Sequence, residues 1–314
     1  MSLLDRLFAP PRPLVAVQIS ARHVSALRVG AGRPAVVESY AMEPLPAGAV
    51  VPALAASNLV EPAPVVEALR RVLSGVGGAR HVALVVPDSV AKVSLVRFDQ
   101  VPAKTGDLEA MLRWNVRRSL PFKADDAQLA WTAGAQLDGG AREFVVAAAR
   151  RDLVAEYESA CSAAGAHAGV VDLATFNLIN LQLAAGGGGG DWLLVHLADD
   201  YVSLAIVRDG QVIFFRHRNA EDEEHLTDLV HQTAMYYEDR LSGRGFGRVL
   251  VAGATQGPEG VEGAAALRQT LDQRLGARVE AVDPRAAATF AGASPDMLDQ
   301  LAPLVGVLLR EPAA

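Results

Sequence analysis

Val15-Ala16-Val17-Gln18-Ile19-Ser20 is an apolar run that ends in polar residues, and Leu193-Leu194-Val195-His196-Leu197-Ala198 repeats the pattern in the second half of the chain. A turn follows each, and then a second apolar run, over residues 24–29 in the first case and 202–207 in the second. A buried strand, a turn and a return strand read as the start of a β-hairpin. Two such starts predict an α/β plan built twice, one lobe per copy.

The flanking sequence fills in both copies. Residues 35–40 read as a third strand, residues 61–73 as a helix with Val65, Val66, Leu69, Val72 and Leu73 on one face, and residues 81–86 as a buried strand. Residues 93–98, 107–120, 129–134 and 144–149 then form a β-α-β-β unit of about 60 residues, with Asp138-Gly139-Gly140 as its hairpin turn. Leu108, Met111, Leu112 and Val116 are expected inward on its helix, with Arg113, Arg117 and Arg118 outward and Pro121 as the stop. Helices are expected over 151–164, capped by Gly165, and over 172–183. Five glycines, 186–190, exclude a regular element and read as the connection between lobes.

The second copy repeats the order. A three-strand meander covers 192–197, 201–207 and 211–216, with Asp209-Gly210 as a hairpin turn. Asn219 is expected to cap a helix running to 241, with Glu221, Asp222, Glu223 and Glu224 at its positive end. A strand at 249–252, a loop with Gly253 and Gly257, a helix at 261–275, a short strand at 279–282 and a helix at 297–309 close the chain. The divisions are a first lobe at 1–92, an inserted subdomain at 93–151, return helices at 152–185, the glycine linker at 186–190 and a second lobe at 191–314.

Composition narrows the function. The chain has 314 residues, is 51% hydrophobic and carries a formal net charge of −7, a balance that does not draw nucleic acid or anionic lipid over long range. One cysteine, Cys161, excludes an internal disulfide framework and fits a reducing compartment. No run approaches the roughly 20 apolar residues that span a bilayer. Residues 1–9 hold Leu3, Leu4, Leu7 and Phe8, too short a stretch for an anchor by itself, and the cytoplasm is the expected location.

Catalytic signatures are missing. No Walker-type loop, His-Glu-x-x-His or cysteine cluster occurs. Gly243-x-Gly245-x-Gly247 precedes a strand instead of following one, so it reads as a turn. His196, His217, His225 and His231 show no convergent metal-ligand spacing.

The duplicated hairpins suggest the two-lobed actin and Hsp70 type of fold, which is a duplicated ribonuclease H-like plan. A series of short motifs then carries a closer resemblance: Val93-x-Leu95-Val96-Arg97-Phe98, Leu112-Arg113-Trp114-Asn115, Ser119-Leu120-Pro121-Phe122, Leu129-Ala130-Trp131 and Val145-Val146-Ala147-Ala148-Ala149-Arg150. Ala164-Gly165 with Val171-Asp172, Asp283-Pro284 and the ending 303–310 continue it. The series resembles the PilM family, the actin-like, FtsA-related proteins of type IV pilus assembly. The cytoplasmic domain of the secretion protein GspL is similar too.

The resemblance implies an ATP site that is degenerate here. The family's Asp-Ile-Gly-Ser falls on Gln18-Ile19-Ser20-Ala21, its lysine on Ser25, its second Asp-x-Gly on His196-Leu197-Ala198, and its adenosine-side Gly-Gly on Ala252-Gly253-Ala254. Mg²⁺ wants hard oxygen ligands, which neither Gln18 nor His196 supplies as a charge. Ser20 and Ala198 carry a Cβ where glycine lets the backbone approach phosphate. Ser20, Arg22 and His23 remain phosphate donors, and Asp199 and Asp200 lie just past the expected acid, where a shift along the strand changes a side chain's face and reach.

The expectation is therefore a non-catalytic scaffold with no metal, no catalytic residue and no required cofactor, ATP being the one cofactor still open. By resemblance it sits peripheral to the inner membrane and receives the cytoplasmic N-terminal peptide of a PilN-like protein between the inserted subdomain and the main lobe. Arg113, Arg117 and Arg118 are the candidate partner-binding side chains, beside the reading that they form a solvated basic face. Two alternatives stay open: an ATPase or small-molecule kinase, and a self-associating FtsA-like filament protein.

Overall fold

The computed structural model describes residues 13–32, 34–219, 225–257 and 259–310. The expected leucine-rich segment at 1–9 and the acidic run at 221–224 lie outside them. Each lobe is built on one five-strand plan. In the first, β1 (Val15–Ile19), β2 (His23–Val29) and β3 (Ala35–Pro44) form an antiparallel meander. β4 (His81–Val86) then joins β1 in parallel, and β8 (His167–Leu173) joins β4 in parallel.

The second lobe repeats this with β9 (Asp191–Leu197), β10 (Tyr201–Arg208), β11 (Gln211–Asn219), β12 (Arg248–Ala252) and β13 (Val279–Ala281), in the sheet order β11-β10-β9-β12-β13. Asp209 and Gly210 both take positive φ, 49° and 80°, so the β10–β11 connection is a tight turn whose twist suits the strands.

Helices cover the sheets. α1 (Pro62–Gly75) buries Val65, Ala68, Leu69, Val72 and Leu73 on the first sheet. Each full burial of a Val or Leu contributes about 1.5–3 kcal/mol, so this face alone secures the helix. The inserted subdomain is β5 (Ala91–Phe98), α2 (Thr105–Val116), β6 (Ala127–Gln136) and β7 (Arg142–Arg150), a three-stranded sheet β5-β7-β6 with its own small core around Leu112, Val116, Phe144 and Val146. α3 (Arg151–Ala163) follows and carries Cys161 at 1% exposure on its inward face. Burial pushes that thiol up to about 12, so it is inert at neutral pH.

α4 (Ala174–Ala184) and α7 (Pro295–Leu309) lie between the two sheets. They share one core with Ala16, Leu27 and Val85 of the first lobe and Leu194, Ala205 and Leu250 of the second. In the second lobe α5 (Leu226–Arg240) and α6 (Gly260–Leu275) cover the outer face.

Four expectations are corrected. The helix placed at 172–183 starts at Ala174, because residues 167–173 are a strand. That strand has a glycine at 169 and no alternation, and only its parallel partner β4 defines it. Asn219 does not cap the next helix: it pairs with Tyr201 as the last residue of β11, and the helix begins at Leu226 after His225. The helix placed at 107–120 ends at Val116, where the Ser119 N–H and Oγ both return to the Val116 carbonyl, well before Pro121.

The C-terminal stretch placed wholly in the second lobe also returns to the first. β14 (Ala288–Thr289) pairs in parallel with β3, and α7 packs tightly on α4. Gly306 permits that contact, since a Cβ there would overlap the Asn177 carbonyl oxygen.

Candidate functional site

The two hairpin turns, 20–23 and 198–201, face each other across the lobe boundary. Ser20 is used up within its own turn. Its Oγ accepts from the His23 N–H at 3.1 Å and lies 3.0 Å from His23 Nδ1, while its N–H donates to the His23 carbonyl. The Ala198 N–H donates likewise to the Tyr201 carbonyl. Arg22, itself exposed, reaches over to the largely buried Asp199 of the other turn at 3.6 Å.

Between the turns the cavity holds only about 20 Å³, lined among others by Gln18, Ser20, His196, Ala198 and Gly253. The expected cleft positions are thus brought together, but around room for about one water molecule. Gln18 Oε1, His23 Nε2 and Gln300 Oε1 border this space without a protein partner. Burial, then the neighbouring Asp199, pushes the Asp200 carboxyl up to about 6.

The residues do not fit a magnesium nucleotide. No carboxylate stands at 18 or 196, and the space between the turns is far too small for a triphosphate. The adenosine-side loop is also engaged internally. Asp299 of α7 accepts from the Gly253 N–H at 2.6 Å, the Thr255 N–H at 3.0 Å and the Thr255 hydroxyl at 2.8 Å. Gly253 takes φ +77° and lies so close to β9 that a Cβ would overlap the Leu197 carbonyl. Among the described residues no group of three or more His, Cys, Asp or Glu is placed to hold a metal.

A polar row occupies the lobe boundary. His196, Ser203 and His217 are cross-strand partners on β9, β10 and β11, so their side chains line up on one face of the second sheet. Opposite them is the turn Asp88–Val90, which follows β4 of the first lobe. Asp88, 1% exposed, accepts from the Thr175 N–H at 3.1 Å and from the Thr175 hydroxyl. Having given its proton to Asp88, Thr175 Oγ1 accepts from His196 Nδ1 at 2.7 Å, which assigns the proton to that ring nitrogen.

Burial alone would raise the Asp88 carboxyl. The polar groups of His196, Thr175 and Ser203 around it, with the field of His196, outweigh it and hold the group below its ordinary value. His217 lies 3.2 Å from Ser203 Oγ and 3.4 Å from Ser89 Oγ, and burial lowers its pKa. The Tyr201 ring stands between the two imidazoles, at 5.5 Å and 5.1 Å.

Beyond His217 the boundary opens into a groove of about 460 Å³. Its walls are residues 52–54 of the first lobe, 89 and 91–93 at the start of the inserted subdomain, and 214–219 of β11. β5 and β11 are both terminal strands of their sheets, so each turns one unpaired edge outward.

A protein-family profile described as type IV pilus assembly protein PilM matches residues 16–241, close to three quarters of the chain. The chain belongs to this PilM family. Among solved structures, a PilM–PilN type IV pilus biogenesis complex is similar over 95% of this chain and 97% of that one, at 19% identity and a TM-score of 0.77. A Bacteroides thetaiotaomicron protein with an actin-like ATPase fold and unknown function is similar over 95% of both chains, at 8% identity and a TM-score of 0.53. The actin-like fold expected from the duplicated hairpins is the observed one.

In this PilM-family chain the three arginines of the inserted subdomain are not equivalent. Arg113, expected outward, is turned in: Nη1 donates to the Ala124 and Ala127 carbonyls at 2.7 and 2.8 Å, and Nη2 to Glu109 at 2.9 Å. It ties α2 to the approach to β6 and is not a free partner contact. Arg117 lies flat on Trp114, 3.9 Å from the ring centroid. Trp114 itself is 65% exposed, and Arg118 is exposed beside it. None of the three lines the groove.

The residues that organise the boundary, Asp88, Thr175 and Asp299, escaped the sequence reading. The one local signal was a polar pair, Asp88-Ser89, directly after the apolar run 82–86 and a proline.

Proposed function

We propose that this PilM-family chain is a non-catalytic scaffold of a type IV pilus inner-membrane platform, and that the groove beside β5 and β11 receives the cytoplasmic N-terminal peptide of a PilN-like membrane protein. The observation that carries the reading is the pair of unpaired sheet edges flanking one groove. An extended peptide gains affinity from main-chain hydrogen bonds to such an edge and selectivity from alternate side chains in adjoining pockets. That a PilM–PilN complex has this fold supports the choice of partner. No nucleotide is required in this reading, because the space between the turns is small and Asp299 already satisfies the Gly253 and Thr255 donors. No described helix is long and apolar enough to cross a membrane. In this reading attachment to the inner membrane runs through the partner.

The test is a titration of a fluorescent peptide from the cytoplasmic N-terminus of the PilN-like protein encoded with this chain, followed by anisotropy. Saturable binding at about micromolar Kd is expected. Leu54→Trp, which fills the groove, should weaken it about tenfold or more. Absence of binding, or binding unaffected by Leu54→Trp and lost instead in Trp114→Ala, overturns the reading.

A further inference from the structure

We infer that the polar row His196–Ser203–His217, closed against the Asp88–Ser89 turn, is a clasp that fixes the angle between the lobes in place of a bound nucleotide, and in doing so fixes the width of the partner groove. Only the identity of the groove's occupant rests on the proposed function.

The geometry makes the two ends of the row inseparable. On the first lobe, Asp88 and Ser89 are neighbours in one short helical turn, so they move as a unit. Asp88 is bound through Thr175 to His196 at the cleft end, and Ser89 faces His217 at the groove end. On the second lobe, His196, Ser203 and His217 are locked in register by the β9–β10–β11 ladder. A rotation that parts the lobes therefore breaks the Thr175–His196 and Ser89–His217 contacts together and draws β11 away from residues 91–93. The cleft end of the row is buried, with Asp88 at 1%, His196 at 4%, and Thr175 and Ser203 at 0% exposure, while His217 at the groove end is half-buried; opening the cleft end strands polar groups and is correspondingly costly. An occupant of the groove touches first-lobe, inserted and second-lobe residues at once, so it binds the closed arrangement better and shifts the lobes toward it. A coupling of this kind is reciprocal.

The experiment uses the full chain and needs no ligand for its deciding arm. Thr175→Val keeps the shape and the backbone N–H bond to Asp88 but removes the hydroxyl that donates to Asp88 and accepts from His196. Hydrogen exchange is read across the chain, and spin labels at Ser74→Cys and Gln273→Cys, exposed positions on α1 and α6, report the interlobe distance. Phe176, next to Thr175, stacks on Phe215 at 5.4 Å, so the deciding readout lies past that stack. The expected result is exchange about tenfold faster in residues 216–219, with a broadened distance distribution. Thr175→Ser should restore both.

Should Thr175→Val fail to fold, Ser89→Ala at the groove end gives the reverse reading: faster exchange at 174–177 and 194–198. Mg-ATP at about 1 mM should change neither observable. Effects confined to the neighbourhood of each substitution, or a distance that narrows with Mg-ATP, overturn the inference. Addition of the PilN-like peptide should slow exchange at 174–177 and 194–198. If that peptide does not bind, the proposed function fails, and the substitutions still decide the clasp.

Discussion

The Gly253 N–H, on the loop expected to meet the adenosine of a nucleotide, lies 2.6 Å from Asp299 Oδ1. That donor is satisfied by a side chain of the last helix. The carboxylate takes two further bonds from Thr255. Asp299→Ala would leave these donors unpaired at a site 8% exposed, and should lower stability by about 2–4 kcal/mol in urea unfolding.

Asp200 sets one pH dependence. Its carboxyl, pushed up to about 6 first by burial and then by Asp199, has a folded pKa above the ordinary 3.8. The fold therefore favours the neutral form and bears a cost above pH 6, which fades as pH falls from 6 toward 4. Asp200→Asn should stabilise the protein at pH 8 by about 1–2 kcal/mol once solvent screening is allowed for. Urea titrations at pH 8 and pH 4 should show that advantage disappear at the lower pH.

Asp88 and His217 work in the opposite sense. The Asp88 carboxyl is held below its ordinary value, so its contribution is full above about pH 4 and is lost as pH falls through the folded pKa. His217, lowered by burial, is kept neutral, and stability falls as pH drops below 6.5 toward its folded pKa. His217→Gln should leave a shallower loss of stability between pH 7 and pH 5, measured as Tm against pH. An unchanged slope would remove His217 from the account.

Two glycines should separate close packing from chain connection. Gly306→Ala drives a methyl into the Asn177 carbonyl at the α4–α7 contact and should cost about 2–4 kcal/mol. Gly189→Ala, with no atom near its Cβ and no positive φ, should stay within about 0.5 kcal/mol. Thermal unfolding of both variants checks the pair.

Arg113 and Arg118 should part in the same way. Arg113→Ala strips the Ala124 and Ala127 carbonyls of their donor and should destabilise the inserted subdomain by about 1–3 kcal/mol, seen as faster exchange over residues 105–136. Arg118→Ala should leave stability unchanged.

Calorimetric titration with ATP, with and without Mg²⁺, should give no saturable heat. Magnesium-dependent binding at micromolar Kd would contradict both the closed cavity and the missing carboxylates at 18 and 196.

The sequence by itself determined the doubled plan. Strand, turn and strand at 15–29 and again at 193–207 follow from side-chain period and turn chemistry, which are local properties, and the same holds for the inserted β-α-β-β unit and most helices. It also determined what the cleft lacks, since a missing carboxylate or glycine is legible at its own position. Tertiary structure alone decided what replaced them. Strand 167–173 exists as a strand because β4 lies beside it, Arg113 turns inward because carbonyls of the approach to β6 await it, and α7 returns to the first lobe because its apolar face fits between two sheets. The clasp joins Asp88, Thr175 and His196, residues far apart along the chain, and Asp299 reaches Gly253 across 46 positions. A hydrogen bond between distant residues has no periodicity to read, because its energy depends on a separation that only folding creates.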